Sequence, residues 1–391
     1  MKIKNIETLV CSAGWRPWSF IKISTSDGIV GYSECTESFG SIRGVLGVVE
    51  DLKHLLIGRD PRATERLFWD MYRITRQSPG GVVQKAIGGI ENALLDIKAK
   101  ALGIPVYELF GGPLRDSIRV YWSHCGTTRT RSWKHVNKQP INSLDDIAEL
   151  GQEVANSGFT ALKTNIIIPG NPPSVLMQGY KGGVGSTDQN LDRKIVDDIV
   201  ALISTFRNSV GKDVDICIDL NFNFKTEGNI AVAKALEQFD LHWLEFESYD
   251  PHALLQVKET TRIPICSGEN LSTNRDYRPF LELHAMDIAA IDVLWNGLAQ
   301  SKKIADMAEV YEINVAPHNH YSHLATFISA HFCAAIPNVK IFEVDVDDVP
   351  WKDELVTKPA VIKNGYLNIP DGPGWGTELN EDVIKKHPWT F

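Results

Sequence analysis

With 391 residues the chain is too long for one small domain, and 43% apolar content supplies a sizeable core, so two domains are expected. A formal net charge of −9 and a pI near 5.7 argue against nucleic acid or an anionic membrane as the main partner. No apolar run approaches the ~20 residues that span a bilayer, the start MKIKNIETLVCSAG shows no secretory leader, and six scattered cysteines without a CxxC read as reduced thiols of a cytoplasmic protein.

Residues 1–116 read as an α+β domain. IKNIETLVCSA, WSFIKISTSDG and VGYSECTES form a three-stranded antiparallel meander, with Ser26, Asp27 and Gly28 as the turn between the second and third strands. Helices are expected near 43–57, 61–76 and 82–102, the last stopping at Gly103 ahead of Pro105. From 117 to 345 the rhythm changes. SIRVYWSHC (117–125) and FTALKTN (159–165) are followed by six short apolar runs, each ending on a polar residue: Asp219, Glu245, Glu269, Asp292, His318 and Glu343. Their intervals of 23 to 26 residues match one strand, one helix and two short loops. Segments between them, such as LDDIAELGQEVANSG and LDRKIVDDIVALISTF, have helical apolar spacing. Eight parallel strands with right-handed crossovers close into a barrel whose active site lies at the C-terminal strand ends, which is where these polar residues fall. No eighth long helix follows Glu343. Residues 346–391, rich in Pro and Gly, are expected to return to the first domain, giving an α/β modified TIM barrel, (β/α)7β, under an α+β cap. The long interval from Lys163 to Asp219 holds an insertion, 166–191, that reads as a lid or a disordered loop.

Asp219, Glu245 and Glu269 end three consecutive strands, an arrangement that gathers three carboxylates around one hard cation such as Mg²⁺; without a cation they would repel and raise one another's pKa values. Taken singly, each also reads as a rim carboxylate held by a neighbouring base. Asp292 and His318 fall on adjacent strands, where a carboxylate on one imidazole nitrogen makes the other a general base. His320 and His323 lie farther into the following loop or helix. Glu343 reads either as a rim salt bridge or as a hydrogen-bond donor whose pKa is raised by nearby anions. In the AGWRPW loop, Trp15 and Arg16 suit a substrate carboxylate and a sugar face, or simply a surface hairpin; Ser41 to Arg43 and the basic segment from Arg129 to Lys138 lie in nearby loops. The His-x-His of a zinc hydrolase barrel does not end the first strand; His318 and His320 come late.

The series Lys163-Thr164-Asn165, Asp219-Leu220-Asn221, Glu245, Gly268-Glu269-Asn270, Asp292 and His318 resembles the enolase superfamily, specifically its mandelate racemase subgroup. GGPLRD (111–116) and GYLNIPDGPGWGTELNED (365–382) look like the same family's text, so the resemblance covers essentially the whole chain. It implies a capping domain, one catalytic Mg²⁺ on Asp219, Glu245 and Glu269, proton abstraction beside a carboxylate, and a homo-oligomer of even order. Racemases of the subgroup end the second strand Lys-x-Lys, and the second lysine is their other base. This chain has Asn165 there, which exchanges no proton at neutral pH, so a one-base reaction is expected. That reaction is a lyase step, the dehydration of a sugar acid with His318 as base, Asp292 as its orienter, and Lys163 and Glu343 assisting. Asn165, Asn221, Trp295 and His320 are expected around the substrate. An isomerising reaction on the same scaffold, a cycloisomerase or epimerase, is the alternative, and a non-catalytic binding protein the remaining one.

Overall fold

The computed structural model describes residues 1–37, 40–177 and 189–390. The meander is present: β1 (Ile3–Ser12), β2 (Pro17–Thr25) and β3 (Val30–Glu34) pair antiparallel in that order. Three helices follow, α1 (Ile42–Leu56), α2 (Thr64–Ile74) and α3 (Gly81–Leu102). The α1 stripe Val45, Val49, Leu52 and Leu56 is buried, and Ser41 caps the helix by accepting from the Gly44 amide. Burial runs along most of α3, because this helix lies between the sheet and the second domain. It ends on Gly103 in the left-handed region, as the Gly-x-Pro text predicts.

Parallel strands β4 (Ser117–Ser123), β5 (Ala161–Ile168), β7 (Asp215–Asp219), β8 (Trp243–Glu245), β9 (Ile265–Ser267), β10 (Ile288–Ala289) and β11 (Asn314–Val315) lie side by side in that order. β6 (Ser174–Leu176) folds back antiparallel on the end of β5 and takes up the first part of the expected insertion. β12 (Phe342–Asp345) pairs with β4 on its far side, and the stretch just before it bridges to β11 through Val315 and Val339. Tyr121, Ala161, Cys217, Trp243, Cys266, Ile288, Ala290, Ala316 and Ile341, one layer from successive strands, pack together inside the ring. Outside it run α4 (Thr127–Arg131), α5 (Leu144–Asn156), α6 (Arg193–Val210), α7 (Thr226–Leu236), α8 (Pro251–Lys258), α9 (Thr273–Glu282), α10 (Val293–Asn296), α11 (Leu298–Val310) and α12 (His323–Ala335).

The last segment first adds to the barrel and then reaches the cap. β13 (Ile362–Lys363) and β14 (Tyr366–Asn368) form a hairpin, and β14 pairs antiparallel with the start of β4. Trp375 is then buried under the cap, with its amide on Asp96 Oδ1 (3.2 Å) and its indole N–H on Tyr32 O (2.7 Å). Helix α13 (Glu381–Lys386) follows; Glu381 accepts from Tyr32 Oη (2.7 Å), and Pro388 bridges Cys11 of β1.

One of the contacts between cap and barrel is made by a single face of α3. Gln84, Gly88 and Asn92, spaced four apart, stack on one side of the helix. Gln84 Nε2 donates to Asn296 O (3.1 Å), Asn92 Nδ2 to Val293 O (3.2 Å), and Asn92 Oδ1 accepts from the Leu298 amide (2.8 Å). Between them Gly88 lies so close to the α10 backbone that a Cβ would fall 2.7 Å from Leu294 O. The short helix gripped in this way begins immediately after Asp292.

Candidate active site

A cavity of about 330 Å³ opens between the cap and the C-terminal strand ends. Its lining includes Glu37 and Lys85 from the cap and Lys163, Asp219, Glu269 and His318 from the barrel. A wider cleft of about 720 Å³ around Asp215, His242 and Lys340 lies at the opposite, N-terminal strand ends, away from the polar series.

Strand register sets the acidic cluster. Asn165, Asp219 and Glu245 are cross-strand neighbours on β5, β7 and β8, and Glu245 pairs with Cys266 of β9. Glu269 is three residues beyond that level and returns to it because Gly268 turns the chain at φ +108°. A side chain at Gly268 would also press on Tyr277, whose hydroxyl donates to Gly268 O (2.7 Å). Asp219 Oδ1 accepts from the Asn221 amide (2.7 Å), an Asx-type turn helped by the left-handed Asn221 (φ 51°). Its Oδ2 accepts from Asn221 Nδ2 (2.7 Å) and Asn165 Nδ2 (2.9 Å). Glu245 meets Lys163 Nζ with both oxygens at 3.1 Å and accepts from Trp243 Nε1 (3.0 Å).

Burial is the main force on these groups. It lifts the Asp219 carboxyl to about 6 against the pull of Lys163, with Glu269 adding to the rise. Burial likewise raises Glu245 and Glu269, each pushed further by neighbouring carboxylates. A fourth carboxyl, Glu247, rises to about 8 through burial and Glu269, and accepts from the Gly268 amide (3.0 Å). Asp219 and Glu245, both buried, and the partly exposed Glu269 thus offer oxygen ligands of the kind a hard divalent cation takes, at a place where negative charge is under-compensated. The Oδ1 atoms of Asn165 and Asn221 are buried beside them without a hydrogen-bond partner. Among the described residues no three such side chains form a closed ligand set as they stand. Glu245 leans on Lys163, and Glu269 Oε2 lies 3.4 Å from His318 Nε2.

The second constellation is the dyad. Asp292 and His318 are bridged neighbours on adjacent strand ends, and His318 Nδ1 lies 2.7 Å from Asp292 Oδ2. Asp292 is itself fixed by Tyr321 Oη (2.6 Å) and by the Trp295 amide on Oδ1 (2.8 Å), where it caps α10. With Nδ1 committed, Nε2 is the working nitrogen; it lies 3.1 Å from His320 Nδ1. Burial works against the His318 imidazolium, but Glu269 and Asp292 outweigh it and raise its pKa to about 10. His320 moves the other way: burial, then the charge of His318, hold it well below the ordinary range.

Two expectations change. Glu343 is not a raised acid able to donate. Burial pushes it up, but Lys163 (2.9 Å), then His318 and His124, hold it below the usual carboxylate range. It accepts from Ser123 Oγ (2.5 Å) and the Asn319 amide (2.7 Å). Nor do Trp15 and Arg16 line the cavity. Arg16 is 1% exposed, and its Nη2 is bound to Asp348 (3.0 Å) and Asp345 (3.5 Å), because a guanidinium this deep requires carboxylate partners. Trp15 packs beneath it, 4.2 Å from the guanidinium.

Other residues fall nearer the expectation. Asn221, Trp295 and His320 line the cavity, whereas Asn165 stands behind Asp219 as its donor. Lys163 is buried, and Glu245 and Glu343 overcome the effect of burial to keep it a cation. Arg131 lines the wall, while Arg129 is bound by Glu153 and Asp347; Ser41 caps a helix. Of the expected lid, Met177 reaches the cavity, and 178–188 lie outside the described residues. Glu247, Tyr321, Glu37 and Lys85 went unpredicted. Glu247 carried a signal, since a residue two beyond Glu245 keeps to the same side of the extended chain. Tyr321 stood inside the histidine-rich APHNHYSHL segment. Glu37 and Lys85 had none, because only docking of the cap brings them here.

Known proteins share this layout. Residues 2–111 match the mandelate racemase/muconate lactonizing enzyme N-terminal domain, and 146–383 the enolase C-terminal domain-like family. The D-xylonate dehydratase of Haloferax volcanii is 30% identical over 99% of this chain and 89% of its own. The D-galactarolactone cycloisomerase of Agrobacterium fabrum is 28% identical over 93% and 89%. A crystal structure from Burkholderia xenovorans strain LB400, provisionally assigned as an L-alanine-DL-glutamate epimerase, superposes with a TM-score of 0.96 at 45% identity, covering 99% of this chain and 98% of that one. A second crystal structure of that protein is bound to magnesium and fumarate. With a three-stranded cap over a barrel whose carboxylates and His–Asp dyad face one cavity, the chain belongs to the enolase superfamily, in its mandelate racemase/muconate lactonizing enzyme branch.

Proposed function

We propose that the protein is a Mg²⁺-dependent acid-sugar dehydratase of the cytoplasm, working with one proton-transfer base. The observation that carries this reading is the asymmetry of the site. His318 presents a ring nitrogen oriented by Asp292, whereas the position of a second base holds Asn165, whose Nδ2 is spent on Asp219. Sugar-acid dehydratases among the relatives, acting by name on D-xylonate and D-gluconate, support it. Six buried free cysteines suit a reducing compartment.

Asp219, Glu245 and Glu269 would hold the metal, a role supported by the donor type, the raised carboxyls and the magnesium-bound relative. When bound, a divalent cation supplies electrostatic stabilisation of the charge that builds on a substrate carboxylate as its α-proton leaves. Lys163, a fixed buried cation, binds the same carboxylate end. In its neutral form, which a cation held on Glu269 would favour by offsetting the charge that raises its pKa, His318 Nε2 takes the α-proton, the β-hydroxyl departs with a proton as water, and the resulting enol tautomerises to a 2-keto-3-deoxy acid. After abstraction the same imidazolium is placed to protonate the departing hydroxyl on its own face. Asp292, Tyr321 and the Trp295 amide hold the ring through both steps.

Cycloisomerase and epimerase neighbours favour a second reading, in which the enolate is reprotonated without loss of water. Incubation with Mg²⁺ and a panel of sugar acids tests both. A 2-keto-3-deoxy product, lost in His318→Ala, is expected. Exchange of the α-proton in heavy water with an isomeric product and no elimination would refute dehydration in favour of isomerisation.

A further inference from the structure

The cavity roof carries a feature that the reaction above does not use. Lys85 projects from the first turns of α3, and Glu37 follows β3; both line the cavity from the cap side, opposite the barrel groups that take the carboxylate. Their side chains form an ion pair, with Glu37 buried and 14% of Lys85 still exposed. Glu37 Oε1 also accepts from the Gly40 amide (2.8 Å). The Lys85 ammonium lies 3.4 Å from the centroid of the Trp295 ring, and the Trp295 indole N–H is tied to Thr36 O (3.1 Å). The roof is thus held in place from three sides.

A lysine ammonium has three donors. Glu37 takes one and the indole face a second, which leaves one for the cavity; the carboxylate beside it, also on the cavity wall, is the acceptor of the pair. A donor and an acceptor side by side, with charges that cancel, match vicinal hydroxyls: one accepts from the ammonium while its neighbour donates to the carboxylate. The indole offers an apolar surface to the C–H face of the same chain. A second carboxylate would meet Glu37 at close range in a partly dehydrated site. The basic residue on the side wall, Arg131, has its Nη1 on Met177 Sδ (3.5 Å) and is the group a diacid would need.

We propose that Glu37 and Lys85 are a neutral specificity pair that reads the distal hydroxyls of a monocarboxylate sugar acid and disfavours a dicarboxylate. This rests on the proposed reading only in placing the substrate carboxylate at the barrel end. The test is calorimetric titration of the Mg²⁺-loaded protein carrying His318→Asn, so that nothing is consumed, with a panel of aldonates, the aldarates of equal chain length, and lactate. At least one aldonate is expected to bind about tenfold or more tightly than its aldarate, and Lys85→Met and Glu37→Gln each to weaken it about 10- to 100-fold, the range for charged hydrogen bonds, with lactate unchanged. Glu37→Gln should also narrow the gap between aldonate and aldarate. The proposal is overturned if no aldonate binds, if aldarates bind as tightly, if both variants leave aldonate affinity unchanged, or if they weaken lactate equally. Aldonate binding with the expected variant pattern, but no 2-keto-3-deoxy product from the wild-type protein, would sink the dehydratase reading and leave the pair standing.

Discussion

Alanine at Gly88 puts one methyl group into a tight backbone contact between cap and barrel. Its Cβ would lie 2.7 Å from Leu294 O and 2.8 Å from both Trp295 O and Gly297 N. Comfortable contacts for carbon begin at about 3.5 Å, so the two backbones must separate by ~0.7 Å or more. All three obstacles are main-chain atoms, and no side-chain rotation relieves them. Overpacking of this kind costs about 1–3 kcal/mol, and alanine's better helix propensity offsets about 1 kcal/mol of it. The effect on turnover should exceed the effect on stability, because the displaced backbone carries Trp295 and directly follows Asp292, which orients His318. Misplacement approaching 1 Å costs about 100-fold in rate, so a kcat loss of about 10- to 100-fold is expected. Gly47, exposed on α1 with open space for 4 Å around the point where a Cβ would stand, is the control: Gly47→Ala should gain about 0.8–1 kcal/mol and keep full turnover. Urea melts and turnover of the two variants side by side decide the matter. Gly88→Ala as stable as Gly47→Ala, with wild-type kcat, would refute the packing argument.

Three further outcomes follow from buried charge. Lys163→Met strands Glu245 and Glu343 without their shared cation and should cost about 3–5 kcal/mol in urea unfolding, whereas a loss under ~1 kcal/mol would mean that the pairing contributes little. Glu91, which binds the α11 amide of Ala299 (3.1 Å) and Gln300 Nε2 (3.1 Å), is raised from 4.5 to about 7, chiefly by burial. The folded chain then holds a proton that the unfolded chain has lost between those two values, so this group's contribution to stability falls as pH rises from 4.5 to about 7 and is level above. Glu91→Gln should therefore compare better with wild type at pH ~8 than at pH ~5 in urea melts, and an equal difference at both would contradict the assignment. Mg²⁺ at ~100 times its dissociation constant should stabilise the protein by about 2.7 kcal/mol, with chelator reversing the shift and Glu269→Gln abolishing it. A melting temperature indifferent to Mg²⁺ would remove the metal from the scheme.

Most of the barrel was legible because its signal is periodic. Polar residues recurring after apolar runs marked Asp219, Glu245, Glu269, Asp292, His318 and Glu343, and all six meet at one rim. Local chemistry was equally readable where it is set by neighbours in sequence, as in the Ser-Asp-Gly turn and the Gly103 stop. What escaped depends on long-range partners. Arg16 looks like a substrate fork in AGWRPW until Asp345 and Asp348, over three hundred residues away, are seen to hold it. The ionisation of Glu343 turned on which of two opposing effects prevailed, burial or the nearby cations, and no spacing records their distances. Lys85 is one exposed-looking position on an apolar helix until the cap docks and places it over Trp295.

The return of the last segment to the cap bears on how the protein is made. Synthesis is vectorial, and domains ordinarily fold as they emerge. Here the seat prepared by Asp96 and Tyr32 waits for Trp375, and β1 waits for Pro388, so the first domain translated is the last one finished. A chain interrupted shortly before Trp375 would possess all eight barrel strands and every acidic and histidine group discussed above, yet lack the clasp that seats the roof. Quality control would meet such a fragment as a nearly complete fold with one seat in the cap left empty.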